Sequence, residues 1–161
     1  MPNVTTPENF EDIWKNLVED PLKQISIANG YENDPCWIEG WLIYYAHDIA
    51  RGVDGLSFPS IGARPGEENI VVQRRNQRHD PYQSHNTRSF VIEAGFDGIA
   101  GRDDLTKRME SLLRDIKKAI GTVKTSNLTL TRVNFDIPQE TLDYAFLVVE
   151  GNIAYNETWG N

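Results

Sequence analysis

The stretch GRDDLTKRMESLLRDIKKAIG, residues 101–121, constrains the fold more than any other part of the chain. Leu105, Met109, Leu112, Leu113, Ile116, Ala119 and Ile120 recur at helical spacing and form one continuous apolar stripe. Asp103 and Asp104 stand where a helix favours negative charge, and Lys117 and Lys118 where it favours positive charge. Gly121 is a natural terminator. Such a helix is stable only when its stripe is covered, so the chain must supply a second layer. The stripe itself reads as core packing and not as the lining of a cofactor site.

The covering layer is a sheet. In RSFVIEAGFDG, residues 88–98, Phe90, Ile92, Ala94 and Phe96 point one way and Val91, Glu93 and Asp97 the other. Ala145, Leu147, Val149, Ile153 and Tyr155 alternate in the same manner near the end of the chain. Between them, NLTLTRVNFDIP carries Leu128 and Leu130 on one parity and Val133, Phe135 and Ile137 on the other, which predicts a bulge near Thr131–Arg132. TTPENFEDIWKNLVEDP reads as a helix, with Thr6 as cap and Pro7 in the first turn. Phe10, Ile13, Trp14, Leu17 and Val18 share one face of it, and Pro21 predicts a stop near Asp20. Trp37 to Ile49 is aromatic and β-branched and reads as a strand apolar on both faces, central or covered by another subunit. Pro65-Gly66 reads as a turn between a short strand ending near Arg64 and an extended piece at Ile70 to Val72. The expected architecture is α+β: a mostly antiparallel β-sheet with two amphipathic helices packed on one face.

A polar segment, QRRNQRHDPYQSHNTR at 73–88, interrupts this pattern between two strands. It is too polar to bury itself and most simply forms the outer part of a long hairpin. The expected organisation is therefore a single domain over 1–161 with a projecting hairpin or loop, an extended arm at about 66–89. The net charge of −8 is uneven: residues 1–63 carry ten acids and three bases, whereas residues 64–90 carry three acids and five arginines. An acidic body argues against wrapping a nucleic-acid duplex, which needs many phosphate contacts. A basic island on that body points to a directional contact. Arg74, Arg75, Arg78, His79, Tyr82, His85 and Arg88 are the candidate interface residues, because arginine and tyrosine are what protein contacts favour. Glu8, Glu11, Asp12, Glu19 and Asp20 on the first helix form the complementary acidic patch. Binding of nucleic acid through the arginines and Tyr82 is the alternative, weakened by the single aromatic residue and the lack of lysine.

Chemistry is otherwise sparse. No glycine-rich phosphate loop links a strand to a helix, and His79 and His85 lack the further ligands that a metal site needs. Cys36, His47 and Asp48 offer the residue types of a nucleophilic site, but nothing places them together. No catalytic residue, metal or cofactor is expected, and the residues make no case for an enzyme. There is no run of about 18 apolar residues. The first residues lack the basic start and apolar stretch of a secretory signal, and the lone Cys36 fits a reducing compartment.

The element order and several strings resemble the tail terminator, or tail-completion, family of long-tailed bacteriophages. The strings are FPSIGARPGEE at 58–68, RSFVIEAGF at 88–96, LLRDIKKAIG at 112–121, and the pair LTLTRVNFDIP and AFLVVEGNIAYN. The likeness extends from about Phe10 to Tyr155. It implies a structural virion protein without catalysis, located in the tail-neck region and assembled in the host bacterial cytoplasm. The implied assembly is a homo-oligomeric ring, a hexamer in that family, which ends tube polymerisation and docks the tail to the head connector. The implied partners are further copies of the chain, the tail tube protein, the connector and neck proteins, and a sheath protein where the tail contracts. DNA would pass through the lumen without specific binding. Another neck or adaptor protein of the head–tail junction is the neighbouring alternative.

Overall fold

In a computed structural model, the residues described are 9–52, 55–75, 77–98, 104–123, 127–136 and 144–159, without the side chains of His47 and Ala50. The fold is α+β, as expected. Five strands, β1 (Cys36–Trp37), β2 (Ser60–Val72), β3 (Tyr82–Asp97), β4 (Leu128–Asp136) and β5 (Tyr144–Trp159), form one sheet in the order β1-β2-β3-β5-β4. All pairings are antiparallel except β1 with β2, which is parallel and short.

The helices are α1 (Phe10–Trp14), α2 (Asp20–Lys23), α3 (Leu42–Ala50) and α4 (Leu105–Thr122). The stripe of α4 is buried at every residue named for it. It packs with Trp14, Val18, Leu22 and Ile25 onto Phe90, Ile92, Ala94 and Phe96 of β3 and onto Ala145, Leu147, Val149, Ile153 and Tyr155 of β5. These strand residues share one parity, so a single sheet face carries the main core. The expected bulge in β4 falls between Leu130 and Arg132, which lets Leu128, Leu130 and Val133 all pack against that core.

Four expectations are corrected or extended. The Trp37–Ile49 region is not a strand: only Cys36–Trp37 is extended, and α3 follows. Leu42, Ala46 and Ile49 lie at positions i, i+4 and i+7 and are buried, while Trp41 just before them and Ile43, Tyr44 and Tyr45 between them are exposed. Helical spacing of the buried residues overrides their strand-like composition. Second, the two expected helices share one face, but a further helix occupies the other. α3 joins Ile38, Phe146, Tyr144 and Val148 in a smaller cluster on the opposite parity of β5. Third, Pro65-Gly66 is not a turn. β2 runs straight through it as a bulge between Pro65 and Glu68, the irregularity at which a strand tolerates proline. Fourth, the first helix does not stop at Asp20. A π-helical turn, Lys15–Glu19, joins α1 to α2, and Pro21 sits in the first turn of α2. The wider turn removes the demand for a Pro21 N–H and relieves its clash with the preceding turn. Asn9 caps α1 by accepting from the Glu11 N–H at 2.9 Å, whereas Thr6 and Pro7 lie outside the described residues.

Asp115 is the one acid on the buried side of α4, 2 % exposed. Its carboxylate accepts from the Glu32 and Asn33 backbone N–H groups at 3.0 and 2.9 Å and from Asn33 Nδ2 at 2.8 Å. The loop before β1 is thus bolted to α4.

Candidate functional site

β2 and β3 leave the helical layers together and form the arm. Register is continuous from Glu68↔Arg88 to Val72↔Ser84, and Gln73 donates its N–H to the Gln83 carbonyl at 2.7 Å. β5 accompanies β3 without a register break, from Asp97↔Tyr144 to Tyr82↔Trp159. The arm is therefore three-stranded where the sequence suggested two strands, which gives it the extra ladder that an isolated hairpin lacks. On its other side, β1 pairs only with Ser60 and Ile61, so the outer edge of β2 has no partner strand among the described residues beyond that point. Ile70, Val71 and Val72 on this edge are 53, 65 and 46 % exposed.

At the tip, the arginines divide into two kinds. Arg75 is held within the chain: its guanidinium lies 4.0 Å over the Tyr82 ring and donates to the Arg78 carbonyl at 3.1 Å. Tyr82 in turn stacks on Trp159, centroids 4.9 Å apart, and Trp159 Nε1 donates to Ser84 Oγ at 3.2 Å. Arg74, Arg78 and His79 are exposed around the turn, which Asp80 closes by accepting from the Gln77 N–H at 2.9 Å. His85 is exposed along β3. Arg88, at the base, donates to the Gly66 carbonyl at 2.9 Å and lies 4.5 Å over the Phe10 ring, so it ties the arm to α1. Gln73, Arg74, Arg75, Asp80, Pro81 and Gln83 line a shallow concavity at the tip.

The acidic patch is less uniform than its sequence. Glu11 and Asp12 are exposed in α1, and Glu8 lies outside the described residues. Glu19 accepts from Trp14 Nε1 at 3.0 Å and approaches Lys23 at 3.9 Å, while Asp20 approaches Lys15 at 3.9 Å. Two of its acids therefore already face cations of their own helix.

A second surface lies on the segment that the sequence reads as a strand, central or covered by another subunit. Trp41, Ile43, Tyr44 and Tyr45 project from α3 and its entry at 50, 55, 75 and 40 % exposure. Beneath them, Arg64 lies 4.0 Å over the Trp41 ring and forms an ion pair with Glu93, which is 7 % exposed. Burial pulls the Arg64 guanidinium below its ordinary pKa, but arginine starts so far above neutrality that it stays charged. At the edge of this surface, Trp37 Nε1 donates to Glu39 at 2.8 Å and Lys23 lies 3.3 Å away, which together hold the Glu39 carboxyl below the usual range. The signal for this surface was present in the sequence as apolar residues on all sides of a short element.

Among the described residues, no group of three His, Cys, Asp or Glu gathers into a metal-binding cluster. His79 is in the turn and His85 on the strand. Cys36 stands on β1 and Asp48 on α3, and the His47 side chain lies outside the described atoms. No helix among the described residues is long and apolar enough to cross a membrane. No protein-family model and no curated protein matches the chain.

Proposed function

We propose that this chain is a structural assembly protein of the phage tail-terminator kind. It forms a ring of copies, caps the tail tube and presents a face to the head connector. One observation carries the reading: a three-stranded arm with an arginine-rich tip projects from a body of opposite net charge. An arm of this kind has little to cover within its own chain, and it gains most by lying on another. The order also contains the parts that the resemblance implies, a short first helix, a proline-punctuated strand, a second amphipathic helix and two closing strands, with β1, α3 and the long arm in addition. The acidic body suits a channel through which DNA passes, because like charge disfavours tight binding.

The test is mass measurement by light scattering with negative-stain imaging of the pure protein. A discrete ring supports the reading, and a monomer at all concentrations, without incorporation into tails, overturns it. Replacing residues 74–82 with an Asn-Gly turn joins Gln73 to Gln83 in their native register, keeps the β3–β5 ladder from Gln83 onward and removes the tip arginines. That variant should keep its fold and lose the ring. Nucleic acid is the second reading, since Trp159 adds a second ring beside Tyr82. A salt-dependent mobility shift of labelled single-stranded DNA would favour it.

A further inference from the structure

We propose that the exposed aromatic face of α3 is the seat for the arm tip of a second copy of this chain. The inference rests on the ring reading and names the two surfaces that meet in it. A short helix apolar on every side is unusual unless both sides are covered. The sheet covers Leu42, Ala46 and Ile49, whereas Ile43, Tyr44 and Tyr45 stay exposed and Trp41 meets only Arg64 on one side among the described residues. A patch of this kind marks an interaction site.

Charge selects the occupant. Residues 31–50 carry Glu32, Asp34, Glu39 and Asp48 and no lysine or arginine. Residues 73–88 carry four arginines against Asp80 alone. Of the acids, Glu39 already meets Lys23 and Trp37, and Asp48 stands exposed beside the aromatic face. Arginine over an aromatic ring is also the contact this chain already uses three times, in Arg64 over Trp41, Arg75 over Tyr82 and Arg88 over Phe10. The exposed Arg74 and Arg78 repeat that chemistry against Tyr44 and Tyr45, with Asp48 to meet their charge.

Distance makes the contact intermolecular. Leu42 of α3 sits over Gly95, where an added Cβ would lie 3.4 Å from Leu42 Cδ2. The tip begins at Tyr82, thirteen positions along the same strand. At ~3.3 Å per residue this separates the two surfaces by roughly 40 Å. One copy cannot close the contact on itself. Two different patches at opposite ends of one subunit make a head-to-tail interface, which closes into a ring when the rotation allows.

The experiment uses the full chain. A photo-cross-linking amino acid placed at Arg78 should capture a peptide of residues 37–50 from another copy. Tyr44→Glu, at the most exposed ring, should weaken association about tenfold or more while leaving the circular dichroism unchanged. Arg78→Glu should do the same, and pairing it with Asp48→Arg should restore part of the loss. If the wild type forms rings that survive Tyr44→Glu, or the cross-link falls on α1, this seat is wrong and the ring reading stands. If the wild type never associates, both fall.

Discussion

β3 and β5 each run through two regions that share a backbone and little else. In the body, from Phe90 to Asp97 on β3, helices cover both faces and Phe90, Ile92, Ala94 and Phe96 are at most 2 % exposed. In the arm, from Tyr82 to Asn86, the same ladder continues between polar residues and is anchored by one aromatic stack and Arg75. The hydrogen-bond pattern does not change at the boundary, only what lies above and below it. Ladder hydrogen bonds contribute little net free energy where water competes for them, so the body supplies the stability and the arm depends on it.

The sharpest way to break this contrast is in the body. Phe90→Ala should destabilise the fold by about 3–5 kcal/mol, seen as a lower urea midpoint. The Phe90 ring fills the space over Gly151, where an added Cβ would come within 2.4 Å of it, and meets Trp14 at 5.9 Å. Asp115→Ala should cost about 1–3 kcal/mol, because two partly buried backbone donors would lose their acceptor. In the arm, Trp159→Ala should cost about 1 kcal/mol, local to the tip. Hydrogen exchange at residues 82–86 should accelerate about fivefold while the global midpoint stays in place. Val71→Thr on the open edge should fall within about 0.5 kcal/mol of the wild type. The smallest effect is Glu39. Its folded carboxyl titrates below its ordinary value of 4.5, so its contribution is complete above that pH and is lost as pH falls through the depressed value. Glu39→Gln should flatten that acid-side loss in unfolding curves measured from pH 5 to pH 3.

The parts of the fold that sequence reading recovered are those with long, one-sided patterns. α4 has eighteen residues and a full stripe, β3 and β5 alternate over their buried halves, and the parity change in β4 located its bulge to the residue. α3 was lost because nine residues, apolar on every side, fit a strand or a helix equally well by composition. The spacing of Leu42, Ala46 and Ile49 was the discriminating signal. Asp115 does not stand out by residue type, although it lies three residues after Leu112 and next to Ile116, inside the stripe. At the candidate site, the hairpin was legible from the polar segment between strands. The role of Trp159 was not, since its cross-strand neighbour Tyr82 is 77 residues earlier and only the β3–β5 register brings them together. The same holds for Arg88, whose contacts with Phe10 and Gly66 join residues far apart in the chain.

The unbroken pairing of β3 with β5 over sixteen positions has a mechanical consequence. Two strands locked in one register act as a beam of roughly 50 Å, at ~3.3 Å per residue, with one end clamped between layers of helix. The notches lie in the neighbouring strands, at Pro65 in β2 and between Leu130 and Arg132 in β4. Force applied at the free end is carried into the clamped end instead of being absorbed by a flexing joint, so whatever seizes the tip also pulls on α4.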